Sequence, residues 1–199
     1  CIVCEKNTNN QICKDCLENL TKLPIKLPKI YKNFYFNNIF ALTYYDGVIK
    51  QLIHYYKFEN FRKLSHFFAE LIEKRYKNIL NNYDYFVFPP LHDKKLKIRG
   101  FNQVELVLKN IDICKDKIFY DLLKVKHTKQ QSLLSKKERE TNLNNSFIIT
   151  EKGLELIKDK KILIFDDVLT TGTTLNEISK LFYYSNVKSI DVMVIATAK

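Results

Sequence analysis

The chain has 199 residues, 46% of them hydrophobic, with a formal charge of +11 and a pI near 9.3. That composition excludes a disordered chain, and no apolar run approaches the ~20 residues that a membrane span needs. The positive balance favours anionic partners such as nucleic acid, phosphates or membrane surfaces. Only four of the 33 basic residues are arginine, however, a usage that AT-rich coding produces without selection for binding.

The chain opens on Cys1 with no basic-then-apolar leader, so a cytoplasmic location is expected. Four of the five cysteines follow at once, as Cys1-x2-Cys4-x8-Cys13-x2-Cys16. Each C-x2-C knuckle aims two thiolates at one point, and two knuckles supply the four tetrahedral sulfurs of a structural zinc. A disulfide pair is the alternative and needs an oxidising compartment. With four thiolates bound, no position stays open for a catalytic water. The expected module spans residues 1–20, followed by a linker over 21–33 marked by Pro24 and Pro28.

"NNIFALTYYDG" then reads as a strand closed by an Asp46-Gly47 turn. Helical spacing follows through Val48, Ile49, Leu52, Ile53 and Tyr56, and again through Leu64, Phe67, Phe68, Leu71, Ile72 and Tyr76. "YDYFVFPP" is a short strand stopped by two prolines, "FNQVELVLKNI" a helix and "LLKVK" a possible strand. Cys114 stands alone in an Ile-rich stretch and reads as a core residue. Residues 127–146 are polar and charged, and a loop of that length reads as functional or mobile. "FIIT", "KILIF", a helix from Thr174 and "IDVMVIATA" complete the chain. Strands and helices alternate after residue 83, which predicts an α/β domain over 34–199 with a parallel sheet flanked by helices. "ILIF" and "VMVIA" suit strands buried on both faces.

The chemistry concentrates in "ILIFDDVLTTGTT", residues 162–174. A buried strand here runs into Asp166 and Asp167, and then into a loop of four threonines around Gly172. Ligands of open α/β sheets sit at the carboxyl ends of strands. Thr174-x-x-Glu177 is a capping-box pattern, which places a helix start nearby, and helix starts attract anions. Gly172 permits a close backbone turn, and the hydroxyls can donate to phosphate oxygens. The two carboxylates would repel phosphate but accept hydrogen bonds from vicinal sugar hydroxyls. A ribose carrying a 5′-phosphate satisfies both ends. The alternative is an acidic strand end with a threonine-rich helix cap.

This stretch resembles the phosphoribosyl-pyrophosphate motif of type I phosphoribosyltransferases. Pro89-Pro90-Leu91 with Arg99-Gly100-Phe101-Asn102-Gln103 resembles a signature of the ComF family. So do Gln131-Ser132-Leu133-Leu134-Ser135 with Glu138-Arg139 and Asn142-Leu143, and the helix from Tyr45 that ends Lys57-Phe58. The family is linked to natural competence and the handling of incoming single-stranded DNA, on a type I phosphoribosyltransferase-like fold. The resemblance implies that Asp166 and Asp167 hold the ribose hydroxyls, with Mg²⁺ bridging. It implies that Leu169, Thr170, Thr171, Gly172, Thr173 and Thr174 cradle the 5′-phosphate. Leu91, His92 and Arg99 would meet pyrophosphate, and 127–146 would cover the site. Phosphoribosyl pyrophosphate, single-stranded DNA and competence proteins are the implied partners. The rival is an active phosphoribosyltransferase of nucleotide salvage, with Asp166 and Asp167 as the catalytic pair. Any base-recognition element is expected within residues 30–60, because the chain ends at Lys199 directly after the last strand and leaves little for a carboxyl-terminal hood. Tyr31, Phe34, Tyr35 and Phe36 could stack bases or simply pack the linker onto the domain.

Overall fold

A computed structural model describes residues 1–9, 12–21, 34–124 and 146–198. The linker expected over 21–33 and the polar stretch 127–146 lie outside them, apart from Thr21 and Ser146.

Five parallel strands form the main sheet, in the order β1-β7-β6-β2-β3. They are β1 (Ile39–Tyr44), β2 (Tyr85–Val87), β3 (Ile118–Phe119), β6 (Lys161–Leu169) and β7 (Ser189–Thr197). Residues of β6 alternate between two cores. Leu163 and Phe165 join one side with α2 (Gly47–Phe58), α3 (Leu64–Leu80) and α5 (Gln103–Lys109). Ile162 and Ile164 join the other with α7 (Glu151–Ile157) and α8 (Thr173–Tyr184). Helices on both faces explain why the central strands read as continuous apolar runs instead of alternating with polar residues. Cys114, in the short helix α6 (Asp112–Lys115), is fully buried, as expected of a core thiol.

The first helix, α1 (Lys14–Thr21), ties the cysteine module to this core. Its Cys16 and Leu20, with Cys13 just before it, are buried in the same cluster as Leu42 and Ile49.

Asp46-Gly47 follows β1 as the expected turn, and Asp46 also caps α2, its Oδ1 accepting from the Gly47 N–H at 2.7 Å. Two local expectations change. "LLK" and "FII" leave the parallel sheet and pair with each other as antiparallel β4 (Leu122–Lys124) and β5 (Phe147–Ile149). The helix expected from Thr174 begins at Thr173, because Gly172 takes the cap position in the left-handed region at φ 75°. No side chain caps it there, so the Thr174–Glu177 capping box is not formed.

Phe34, Tyr35 and Phe36 take the packing alternative. Phe36 is buried in the second core, Phe34 packs against it, and Tyr35 lies 5.3 Å from the Tyr183 ring.

Gly153 of α7 fits where no side chain can. A Cβ there would meet Asp121 Cβ at 2.6 Å and the Ile149 and Phe119 side chains at 2.9 Å. Gly153→Ala gains helix propensity of about 1 kcal/mol but overpacks a fixed corner, which costs about 1–3 kcal/mol. Since the nearest atom is a Cβ anchored to backbone, the clash wins. The urea midpoint should fall by the equivalent of about 1 kcal/mol with an unchanged slope.

Candidate functional site

The site grows from a mismatch in strand length. Strand β2 pairs with β6 only from Ile162 to Ile164, whereas β7 follows β6 to Leu169. The carboxyl half of β6 therefore stands free of β2 and borders a crevice. The crossovers diverge at the same place: β2 leads to β3 on one side, and β6 leads to β7 on the other. This is the topological switch point where open parallel sheets bind ligands.

Asp166 and Asp167 lie on that free segment. The Asp166 carboxylate accepts from the Asp167 N–H at 2.8 Å. Asp167 is paired with the Lys57 ammonium, Nζ to Oδ1 2.8 Å, with both side chains mostly buried. Lys57 stands one residue before the end of α2. Burial first, and the neighbouring Asp167 charge second, push the Asp166 carboxyl from its ordinary 3.8 up to about 7. Two acids this close and this poorly solvated resist ionising together.

Beyond them the chain turns into α8. Thr170, Thr171, Thr173 and Thr174 are exposed around buried Gly172. The Thr171 and Thr173 hydroxyls lie 3.0 Å apart, and Thr171 Oγ1 accepts from the Thr173 N–H at 3.4 Å. Gly172 is required twice over. Its φ of +75° is left-handed, and a Cβ would meet the Phe34 ring at 2.9 Å and Leu169 Cδ1 at 3.3 Å. The result is a hydroxyl-rimmed loop at the amino end of a 12-residue helix, with two carboxylates behind it. Such a loop can take a phosphate, and such a pair can take hydroxyls or a cation.

The "RGFNQ" residues hold the opposite wall. Gly100 ends α4 (Asp93–Arg99) in the left-handed conformation. Phe101 lies under the Arg62 guanidinium at 4.8 Å and against the Tyr56 ring. Asn102 caps α5, accepting from the Val104 and Glu105 N–H groups, and its Nδ2 donates to the Pro89 carbonyl at 3.0 Å. The Tyr56 hydroxyl donates to the Gln103 carbonyl at 2.7 Å. The motif thus fixes the loop after β2 against the helix that carries Lys57. His92 follows Leu91 as the cap of α4, its Nδ1 accepting from Lys94 N–H at 3.2 Å. Arg99 donates to Gln103 Oε1 at 3.0 Å and lies over the Phe58 ring at 5.2 Å. Those contacts turn Arg99 toward the end of α2. Lys57 is the residue that sequence reasoning left without a role, and its signal was the helix-terminal Lys-Phe pair.

The four amino-terminal cysteines converge separately. All are free thiols, and their sulfurs lie within 4.8 Å of one another. Cys4 and Cys13 sulfurs are 3.5 Å apart, and those of Cys1 and Cys16 are 3.8 Å apart. A tetrahedral metal with ~2.3 Å bonds to sulfur separates its ligands by about 3.8 Å, so the four thiols could hold a metal ion. Among the described residues no helix is long and apolar enough to cross a membrane.

The sheet, its switch point and the acid–threonine–glycine loop define a phosphoribosyltransferase-type domain. The phosphoribosyl transferase domain model matches residues 102–199. Competence protein F of Haemophilus influenzae is 37% identical over 111 residues, 55% of this chain and 48% of that protein. Competence protein ComFC of Streptococcus pneumoniae is 30% identical over 150 residues, 75% of this chain and 64% of that protein. The DNA utilization protein YhgH of Escherichia coli K12 is 26% identical over 207 aligned residues, 96% of this chain and 87% of that protein. The chain belongs to the ComF family, and it spans 48% and 64% of the lengths of the two competence proteins.

The Asp166 environment has a measurable consequence. Its folded pKa is raised, so the wild type is least penalised below the unfolded value and loses stability as pH rises from about 4 to about 7. Asp166→Asn keeps the acceptor for Asp167 N–H and removes the titration. Relative to this variant, the wild type should lose stability on the order of 4 kcal/mol across that window, read by urea unfolding at each pH.

Proposed function

We propose that the protein binds phosphoribosyl pyrophosphate with Mg²⁺ at the end of β6 and serves DNA uptake by handling single-stranded DNA. The observation that carries the first part is the placement of Asp166, Asp167 and the Thr170–Thr174 loop on one free strand end. Loop N–H groups and threonine hydroxyls bind the 5′-phosphate, aided by the positive end of α8. Asp166 and Asp167 accept from the ribose 2′- and 3′-hydroxyls. Lys57 orients Asp167 and offsets its charge. The wall carrying Leu91, His92 and Arg99 faces the pyrophosphate end. Mg²⁺, held by phosphate oxygens and these carboxylates, would offset the charge of the pyrophosphate. The competence and DNA-utilization names of the relatives support the second part, as does the charge of +11.

The cysteine module takes Zn²⁺ in this reading. The all-thiolate set and its near-tetrahedral spacing support zinc over harder cations. Four reduced thiols also suit a cytoplasmic location. Base-dependent release of pyrophosphate would instead select a salvage transferase.

Three outcomes follow. Metal analysis should find about one zinc per chain, and chelation should unfold residues 1–20. Metal-free protein with unchanged circular dichroism would remove the zinc assignment. By calorimetry, phosphoribosyl pyrophosphate should bind more tightly with Mg²⁺ than without it. Asp167→Ala and Gly172→Val should each weaken it about tenfold or more, and unchanged affinity in both variants would refute the site. Single-stranded DNA should bind more tightly than duplex of equal length, with a log–log salt slope of about −0.7 per phosphate contact. Duplex binding as well as single strand would leave only a basic surface.

A further inference from the structure

A second cleft lies beside the acid pair. It encloses about 310 Å³ between the end of α2 and α4, at the small end of the range for small-molecule sites, ~300–1,000 Å³. Its walls are the Phe58 and Phe101 rings and the Ile98 side chain, and its rim carries Lys57, Lys95 and Arg99. No carboxylate is among its described lining residues. The Lys57 that lines it also reaches Asp167, so cleft and acid pair share a wall.

Two features of this cleft are at odds with a purely structural role. Phe58 is 63% exposed and Ile98 is 85% exposed, on a surface otherwise crowded with lysine. Scattered exposed apolar side chains are ordinary, but these two flank one cleft that also carries three cations. Arg99 Cζ lies 5.2 Å from the centre of the Phe58 ring while its guanidinium donates to Gln103, which keeps a cation next to an exposed ring.

We infer that this cleft binds an unpaired nucleobase together with its phosphate. Rings and a guanidinium plane stack bases without regard to sequence. Lys95 and Arg99 on the rim suit the attached phosphate, Lys57 being paired with Asp167, and no carboxylate is among the described lining residues. A base paired in a duplex cannot enter such a cleft, which gives the preference for single strands a structural origin. The inference rests on the single-strand part of the proposed function and supplies its site. It is independent of the phosphoribosyl part.

The chain contains no tryptophan, so Phe58→Trp places a sole fluorophore in the cleft. Residue 58 is exposed, and the change should leave the fold intact. Titration with a deoxymononucleotide, and separately with short oligothymidine, should quench the tryptophan emission. Oligothymidine quenching at far lower concentration identifies a strand as the source; equal concentrations identify the free nucleotide. Phe58→Ala should weaken oligothymidine binding, read by anisotropy, by about tenfold, the effect of losing one stacked base. Its affinity for phosphoribosyl pyrophosphate should stay as in the wild type. If wild-type protein binds single strands while Phe58→Trp shows no quenching with either probe, the cleft assignment fails and the single-strand reading survives. If wild-type protein binds no single strand but the mononucleotide quenches, the cleft assignment stands and the single-strand reading fails.

Discussion

Strand β6 is paired on both edges only as far as Ile164, and from Phe165 onward it has β7 alone. The site depends on this one-sided extension. Both faces of the paired part are buried, so only apolar residues are tolerated there. Past β2 the free edge offers backbone and side chains to whatever enters the crevice, and Asp166 and Asp167 stand at its border, poorly solvated but without a strand on both edges. Had β2 continued to the same length, the acid pair would be enclosed by sheet and helix on every side. The pair would then cost more to desolvate than Lys57 could return.

The opposite wall is built to keep that opening constant. Asn102 fastens the loop after β2 through the Pro89 carbonyl, and the Tyr56 hydroxyl fastens the start of α5 to the helix that presents Lys57. Arginine in this stretch works by stacking: Arg62 on Phe101, Arg99 on Phe58. Lysine could not replace it there, because an ammonium lacks the planar face.

The strand that carries the site was legible because burial on both faces and the acid–threonine–glycine run leave little freedom of interpretation. Helices α2 and α3 were legible for a similar reason, since Ile49, Leu52, Ile53 and Tyr56 keep strict spacing. The capping box at Thr174 misled because Gly172, pinned against Phe34 and Leu169, takes the cap position through backbone conformation that no side-chain pattern encodes. The β4–β5 ribbon was missed as a separate sheet because three-residue strands carry no partner information. The role of Lys57 was invisible for a different reason: its partner Asp167 lies 110 positions away, and only the fold brings them to 2.8 Å.

If both clefts bind as proposed, that contact links them thermodynamically. Any hydroxyl or cation that engages Asp167 competes with the Lys57 ammonium, and a displaced Lys57 adds its charge to the rim beside Phe58 and Arg99. An anion drawing Lys57 to that rim lowers, by the same factor, the cost of occupying Asp167, since such coupling is reciprocal. One flexible side chain, four methylenes long, can therefore let occupancy at one mouth be felt at the other without any movement of the backbone.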